Sequence, residues 1–213
     1  MVRNWIEELS KYADDHTSSE GDLLRELERK TYLSALSPQM LSGKLQGRLL
    51  SMLSKLVQPN FVLDIGTFTG YSCISLLDGF GEEGLMYTID VKDDYEHIRS
   101  EFFNRHPKRG QIKQLLGNAI DIIPTLDVEA WDIVFIDANK QAYLDYYQLV
   151  KNKIRKGGLL IIDNVLWSGK VLDSNKDLDT KIIDDLNKLI VNEGLFETVL
   201  MPVRDGISIS IKK

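Results

Sequence analysis

From Phe61 onward, short β-rich apolar runs alternate with helical stretches, and no other feature of the chain restricts its fold as much. The runs are FVLDI, LMYTID, IKQLL, DIVFID, GLLIID, FETVLM and ISISIK. Such alternation predicts βαβ units and a parallel sheet. IVFI and LLII are unbroken apolar segments, as expected of central strands covered on both faces by helices. Beyond Leu178, the spacing of Ile182, Ile183, Leu186, Leu189 and Ile190 predicts an amphipathic helix, with Gly194 as its C-terminal cap. Only the turn from Pro202 to Gly206 separates the last two runs, which predicts a hairpin and hence one antiparallel strand.

Residues 1 to about 57 show helical periodicity instead, through Leu23, Leu24 and Leu27 and then Leu45, Leu49, Met52, Leu53 and Leu56. They read as a helical cap on the sheet. No repeat, low-complexity tract or linker interrupts the chain, and only Gln58-Pro59 marks a change of character. With roughly 150 residues per domain as the guide, the expectation is one domain over 1–213, a helical cap at 1–57 and an α/β core at 58–213.

Composition narrows the function classes. Hydrophobic residues make up 43% and charged ones 27%, an ordinary globular mix. Cys73 is the one cysteine, so no intrachain disulfide can form, and thiolate metal sites are excluded. A reducing, cytoplasmic compartment is expected. The start MVRNWIEELSKYADDH is too acidic and polar for a signal or transit peptide, and no apolar run approaches about 18 residues. The net charge of -6 disfavours sequence-independent binding to a phosphate backbone, although a local basic groove stays open.

The first run leads into Asp64-Ile65-Gly66-Thr67-Phe68-Thr69-Gly70, where a strand is expected to end and a helix to begin. Ligands of open α/β sheets bind at the carboxyl ends of the strands, and a glycine there lets backbone approach a bound molecule. The spacing is not G-x-G-x-x-G, so a dinucleotide pyrophosphate cradle and an NAD-dependent oxidoreductase are set aside. Asp90 ends the second run, 26 residues after Asp64, where a carboxylate can accept both hydrogen bonds of a ribose diol. The plainer alternative is a tight turn at Gly66 and a solvated charge at Asp90.

Asp137 closes DIVFID, and Asp163 closes GLLIID with Asn164 next to it. If those strands are neighbours, three oxygen donors converge, a set that suits Mg²⁺, Ca²⁺ or Mn²⁺ over zinc. Each of the three alone also fits a helix N-cap. Lys140 lies three residues beyond Asp137, within reach as a general base or, alternatively, as a solvated lysine. His16, His97 and His106 read as surface residues. Tyr143, Tyr146, Tyr147 and Trp167 could wall a planar acceptor or simply pack in the core.

Taken in order, VLDIGTFTGYS, TID, GNA, FIDANK and DNVLWSGKV resemble the cation-dependent, S-adenosylmethionine-using O-methyltransferases, the group that includes the catechol and caffeoyl-CoA enzymes and their bacterial relatives. LLRELERKTYLSALSPQMLSGKLQGRLL resembles that family's opening helices and RDGISIS its closing hairpin, so nearly the whole chain is covered. The resemblance implies the α/β class I methyltransferase fold, a Rossmann-like sheet of seven strands with the last antiparallel and helices on both faces. It implies S-adenosylmethionine and a divalent cation, Mg²⁺ or else Ca²⁺ or Mn²⁺. Met40, Leu41, Ser42, Asp64, Gly66, Phe68, Ser72, Asp90, Ala119 and Asp137 would bind the cofactor. Asp90 would take the ribose hydroxyls and Ala119 would sit by the adenine. Asp137, Asp163 and Asn164 would hold the metal, and Lys140 would be the catalytic base. Two positions depart from the family: Asn139 stands where many members have aspartate, which removes a charge beside the metal, and Asp64 often stands as glutamate.

The activity implied is O-methylation of a vicinal-dihydroxy aromatic small molecule by a homodimer without membrane association. Some bacterial relatives methylate a hydroxylated uridine in tRNA, and Lys108, Arg109, Lys113, Lys151, Lys153, Arg155 and Lys156 would serve that alternative if they cluster at the site. A second alternative is a non-catalytic binding protein that retains the fold. The acceptor itself has no residue code in the cap or in VLWSGKVLDSNKD.

Overall fold

A computed structural model describes residues 5–213 and, from residue 8 onward, their side chains; the first four residues of the polar start lie outside the described residues. The seven expected strands form: β1 (Phe61–Ile65), β2 (Leu85–Asp90), β3 (Ile112–Leu116), β4 (Trp131–Ile136), β5 (Ile154–Asp163), β6 (Phe196–Met201) and β7 (Ile207–Lys212). They make one sheet in the order β3-β2-β1-β4-β5-β7-β6. β1 to β5 pair in parallel, and β7 runs antiparallel between β5 and β6. This is the class I methyltransferase arrangement, with the last strand reversed as the short turn required.

Alternate residues of each central strand feed two separate cores. Leu63, Ile65, Val134, Ile136, Leu160 and Ile162 point to one face. There they meet Tyr143 and Tyr147 of α7 (Tyr143–Val150) and Ile183, Leu186 and Ile190 of α8 (Leu178–Glu193), while α6 (Ala119–Ile122) adds Ala119. Val62, Ile133, Phe135, Leu159 and Ile161 point the other way, toward α2 (Asp22–Ser34), α3 (Gly43–Val57), α4 (Tyr71–Leu76) and α5 (Glu96–Arg105). Burial on both faces explains why IVFI and LLII carry no polar residue. The helix α1 (Trp5–Asp15) precedes these. Asp177 caps α8, its Oδ1 accepting the Thr180 N–H at 2.8 Å, and Gly194 ends it at φ 73°.

The apolar spacing of α3 divides between core and surface, with Leu49 and Leu53 packed against the core. In α3, the face against the rest of the protein carries Gln46, Gly47, Leu50, Ser51 and Ser54, while Met52 and Leu56 of the expected apolar stripe are 62% and 81% exposed. Small residues face inward because α3 approaches the α4 segment closely. A Cβ on Gly79 would lie 2.1 Å from the Ser54 carbonyl carbon, and a Cβ on Gly47 2.6 Å from the Tyr71 ring. No helix among the described residues is long and apolar enough to cross a membrane.

Because Ser54 offers rigid backbone at that contact, Gly79→Ala should destabilise the protein by about 3 kcal/mol, a typical overpacking cost, read as a lower midpoint in urea unfolding.

Candidate active site

The register of three adjacent strands assembles the site. Ile65 pairs with Ile136, and Ile136 with Ile162, so the next residues, Gly66, Asp137 and Asp163, emerge side by side at the carboxyl edge of the sheet. Gly66 runs so close to the following loop that a Cβ there would lie 1.8 Å from the Asp137 carbonyl oxygen. Its φ of 106° adds a second reason for glycine.

Above this edge lies a cavity of about 440 Å³ lined by Met40, Gly66, Phe68, Asp90, Ala119, Asp137 and Tyr146, among others. Its wall is fixed by polar contacts. Phe68, held at φ 49°, donates its backbone N–H to Asp90 Oδ2 at 2.8 Å, and its carbonyl accepts from Arg99 Nη1 at 2.9 Å. Asp90 Oδ1 accepts the Lys92 N–H at 3.0 Å, which leaves each oxygen a further lone pair in a residue that lines the cavity. Four of the expected cofactor residues are not on this wall. Leu41 and Ser42 line a second cleft, of about 760 Å³, between the N-terminal helices and the β6–β7 turn. Asp64 and Ser72 are buried behind the wall, where the Asp64 carboxylate accepts hydrogen bonds from Thr88 at 2.7 Å and Ser72 at 3.3 Å. Asp64 points away because Leu63 and Ile65 point to the opposite core, so in β1 it faces α4 instead of the strand end.

Lys140 lies beside Asp137 and Tyr143. Its Nζ donates to Asp137 Oδ1 at 3.0 Å and to the Tyr143 hydroxyl at 2.7 Å, and that hydroxyl donates to the Asp163 carbonyl at 3.1 Å. The same Nζ lies 4.8 Å from the Tyr143 ring centre and 5.9 Å from that of Trp167. The Asn139 side chain accepts the Gln141 N–H at 3.3 Å and caps the short turn that starts at Lys140. Asp137, Asp163 and Asn164 cap no helix. Asp163 Oδ1 accepts the N–H of Asn164, and its Oδ2 accepts from Gln46 Nε2 at 2.8 Å.

Burial, then the Asp137 charge beside it, raise the Asp163 carboxyl above the ordinary carboxylate range. The Asp137 and Asp163 carboxylates thus lie close enough to repel each other, with Asn164 next in the chain. Burial raises Asp64 to about 7 against the opposing hydrogen bonds from Thr88 and Ser72.

Other expectations divide. Tyr146 lines the cofactor cavity, Tyr143 supports Lys140, and Tyr147 belongs to the core, bonded to Glu193. His16 and His97 are exposed and His106 half-buried, none of them at the site. The basic residues do not gather there either. Lys108 donates to the Leu77 and Phe80 carbonyls, Arg155 pairs with Asp132 and Lys151 with Glu193, all toward the amino ends of the strands. Gln46 and Arg99 were not legible as site residues, and Tyr143 was legible only as an aromatic of the wall or the core. Arg99, 5% exposed within a charged helical segment, had a faint signal in its setting between Ile98 and Phe102, which are also buried.

Comparison with known proteins now bears on this geometry. The sequence model described as O-methyltransferase matches residues 14–213. The chain belongs to the O-methyltransferase family. This methyltransferase is 31% identical over 207 residues to a protein named probable caffeoyl-CoA O-methyltransferase 1 of Dictyostelium discoideum, covering 94% of this chain and 90% of that one. It is 32% identical over 177 residues to a catechol O-methyltransferase of Niastella koreensis, covering 82% and 76% of the two chains. Among solved structures it resembles an O-methyltransferase of Bacillus cereus in complex with SAH, with a TM-score of 0.87, 25% identity and 97% of each chain covered. It resembles equally the O-methyltransferase TomG of Streptomyces achromogenes in complex with SAM, with a TM-score of 0.86, 25% identity and coverage of 97% of this chain and 96% of that one. The protein is an S-adenosylmethionine-dependent O-methyltransferase of the caffeoyl-CoA and catechol type. The cavity fits that cofactor in its close backbone approach at Gly66 and its carboxylate at Asp90.

In this methyltransferase, Gly66→Ala should push the Asp137 loop out of place and weaken S-adenosylhomocysteine binding at least about tenfold in calorimetry, as a misplacement of roughly 1 Å does at a positioned site. Asp64 generates a pH prediction. Unfolded, its carboxyl loses its proton near the ordinary 3.8; folded, it keeps the proton to about 7. Between those values the native state binds more protons, so this residue's contribution to stability falls as pH rises and levels off above about 7. Asp64→Asn, measured without ligands, should therefore gain on the wild type in melting temperature from pH 4 toward pH 8; a constant difference would overturn the assignment.

Proposed function

We propose that the acceptor is a vicinal-dihydroxy aromatic small molecule and that the transfer depends on a divalent cation held by Asp137, Asp163 and Asn164. The observation that carries this reading is the placement of Lys140 Nζ, 3.0 Å from Asp137 Oδ1, beside an oxygen-donor set at the edge of the cofactor cavity. A phenolic hydroxyl titrates near 10 and is a poor nucleophile at neutral pH. When bound, the cation supplies positive charge that favours the oxyanion form of the acceptor and fixes its two adjacent oxygens. S-adenosylmethionine supplies the methyl on a sulfonium and leaves as a neutral thioether.

The chain's own residues do the rest. A neutral lysine amine has two N–H bonds and one lone pair. The Asp137 carboxylate and the Tyr143 hydroxyl engage the two N–H bonds, so the lone pair is left to accept the acceptor's hydroxyl proton. Tyr143, fully buried and tied to the Asp163 carbonyl, holds that amine in place. Trp167, with its ring centre 5.9 Å from Lys140 Nζ, and Tyr146, in the cavity lining, offer aromatic groups to a planar acceptor. The position of the basic residues toward the amino ends of the strands supports a small acceptor over tRNA. A homodimer belongs to the same reading, with the outward apolar residues Met52 and Leu56 of α3 as its candidate surface.

The test is methyl transfer from S-adenosylmethionine to catechol, caffeate, caffeoyl-CoA, simple phenols and tRNA, each with Mg²⁺ and with EDTA. Vicinal diols should react and simple phenols should react poorly, with turnover lost in EDTA. Lys140→Ala should lower kcat by about 10²–10⁴-fold, the usual worth of a positioned base, with cofactor affinity unchanged. Equal rates with Mg²⁺ and EDTA would sink the metal-dependent reading.

A further inference from the structure

Gln46 is buried to 1% exposure in the second turn of α3, yet no motif of the site includes it. The other residues on that inward face are glycine, leucine and serine, so a long amide among them needs a reason. Its partner lies 117 residues along the chain: Nε2 donates to Asp163 Oδ2 at 2.8 Å. Asp163 Oδ1 takes the N–H of Asn164 at 2.7 Å, so each carboxylate oxygen is held by one donor and keeps a free lone pair. The donor on Oδ1 comes from the neighbouring residue and moves with Asp163. Gln46, anchored in another layer of the protein, is the side-chain donor among the described residues that ties the rotation of the carboxylate to the rest of the fold.

We propose that Gln46 is a positioning residue for the divalent cation: by holding Asp163 Oδ2 it presets the carboxylate for metal binding and couples α3 to the metal site. This inference rests on the cation-dependent reading above. Outer partners that orient a ligating carboxylate contribute about 10–100-fold in metal affinity. An amide that merely filled space or satisfied a buried acid would affect folding stability without affecting the affinity for metal.

The experiment measures Mn²⁺ binding by the loss of its free electron paramagnetic resonance signal, with S-adenosylhomocysteine present, in wild type and in Gln46→Met, which keeps the length and removes the donor. The Mn²⁺ dissociation constant should rise about 10–100-fold in the variant, and that of S-adenosylhomocysteine should stay within about twofold. Equal Mn²⁺ affinity in the two proteins would overturn the role of Gln46 and leave the cation reading standing. A wild type that binds no Mn²⁺ would overturn both. Should Gln46→Met fail to fold, Mg²⁺ titration of the wild type followed at the Gln46 side-chain amide resonances decides the matter. They should shift and saturate with Mg²⁺ binding, and resonances that stay still while Mg²⁺ binds would overturn the proposal.

Discussion

Everything at the site depends on the parallel pairing of β1, β4 and β5 in one register. Ile65, Ile136 and Ile162 stand abreast, so the chain leaves the sheet three times at the same level, at Gly66, Asp137 and Asp163. Parallel strands share their carboxyl ends, and connections that return over the faces leave that edge open to a ligand. A slip of one residue in any of the three would turn its acid or glycine to the wrong face. Burial opposes such a slip, since both faces of these strands are packed and Val134, Phe135, Leu160 and Ile161 are fully inaccessible.

The second constraint is the tightness of the first crossing. Gly66 passes the Asp137 carbonyl with room for hydrogen alone, and the ladder continues there through the Asp137 N–H bonded to the Ile65 carbonyl at 2.8 Å. That contact joins the cofactor cavity to the Lys140 cluster, because Asp137 belongs to both. One residue, Asp137, thus lines the cavity and accepts the hydrogen bond of the Lys140 amine. A hydrogen-bonded sequence runs from Asp137 through Lys140 and the Tyr143 hydroxyl to the Asp163 carbonyl and links the ends of β4 and β5.

The fold was legible to an unusual degree because its signals are local. Alternating apolar runs, the Pro202–Gly206 turn and the Gly194 cap all act over a few residues, and each agreed with the others. Strand-end acids were legible for the same reason, as were Gly66 and Lys140. The spacing in α3 marked a helix but not which side packs, since close helix packing there demands Gly47 and Ser54 and leaves Met52 and Leu56 outward. Asp64 and Ser72 fell behind the cavity wall, and Leu41 and Ser42 into the adjoining cleft, because a motif records neighbours in the chain and not which side of a strand or turn faces the ligand.

By itself the sequence determined the order of the elements, the reversed last strand and the acids at the strand ends, since those follow from residue type and spacing along the chain. Tertiary structure alone decided which of them meet. Gln46 on Asp163, Arg99 on the Phe68 carbonyl and Tyr143 between Lys140 and Asp163 join segments far apart or turned toward each other only after folding. Their worth lies in direction and distance in three dimensions, and no spacing in a linear chain encodes that.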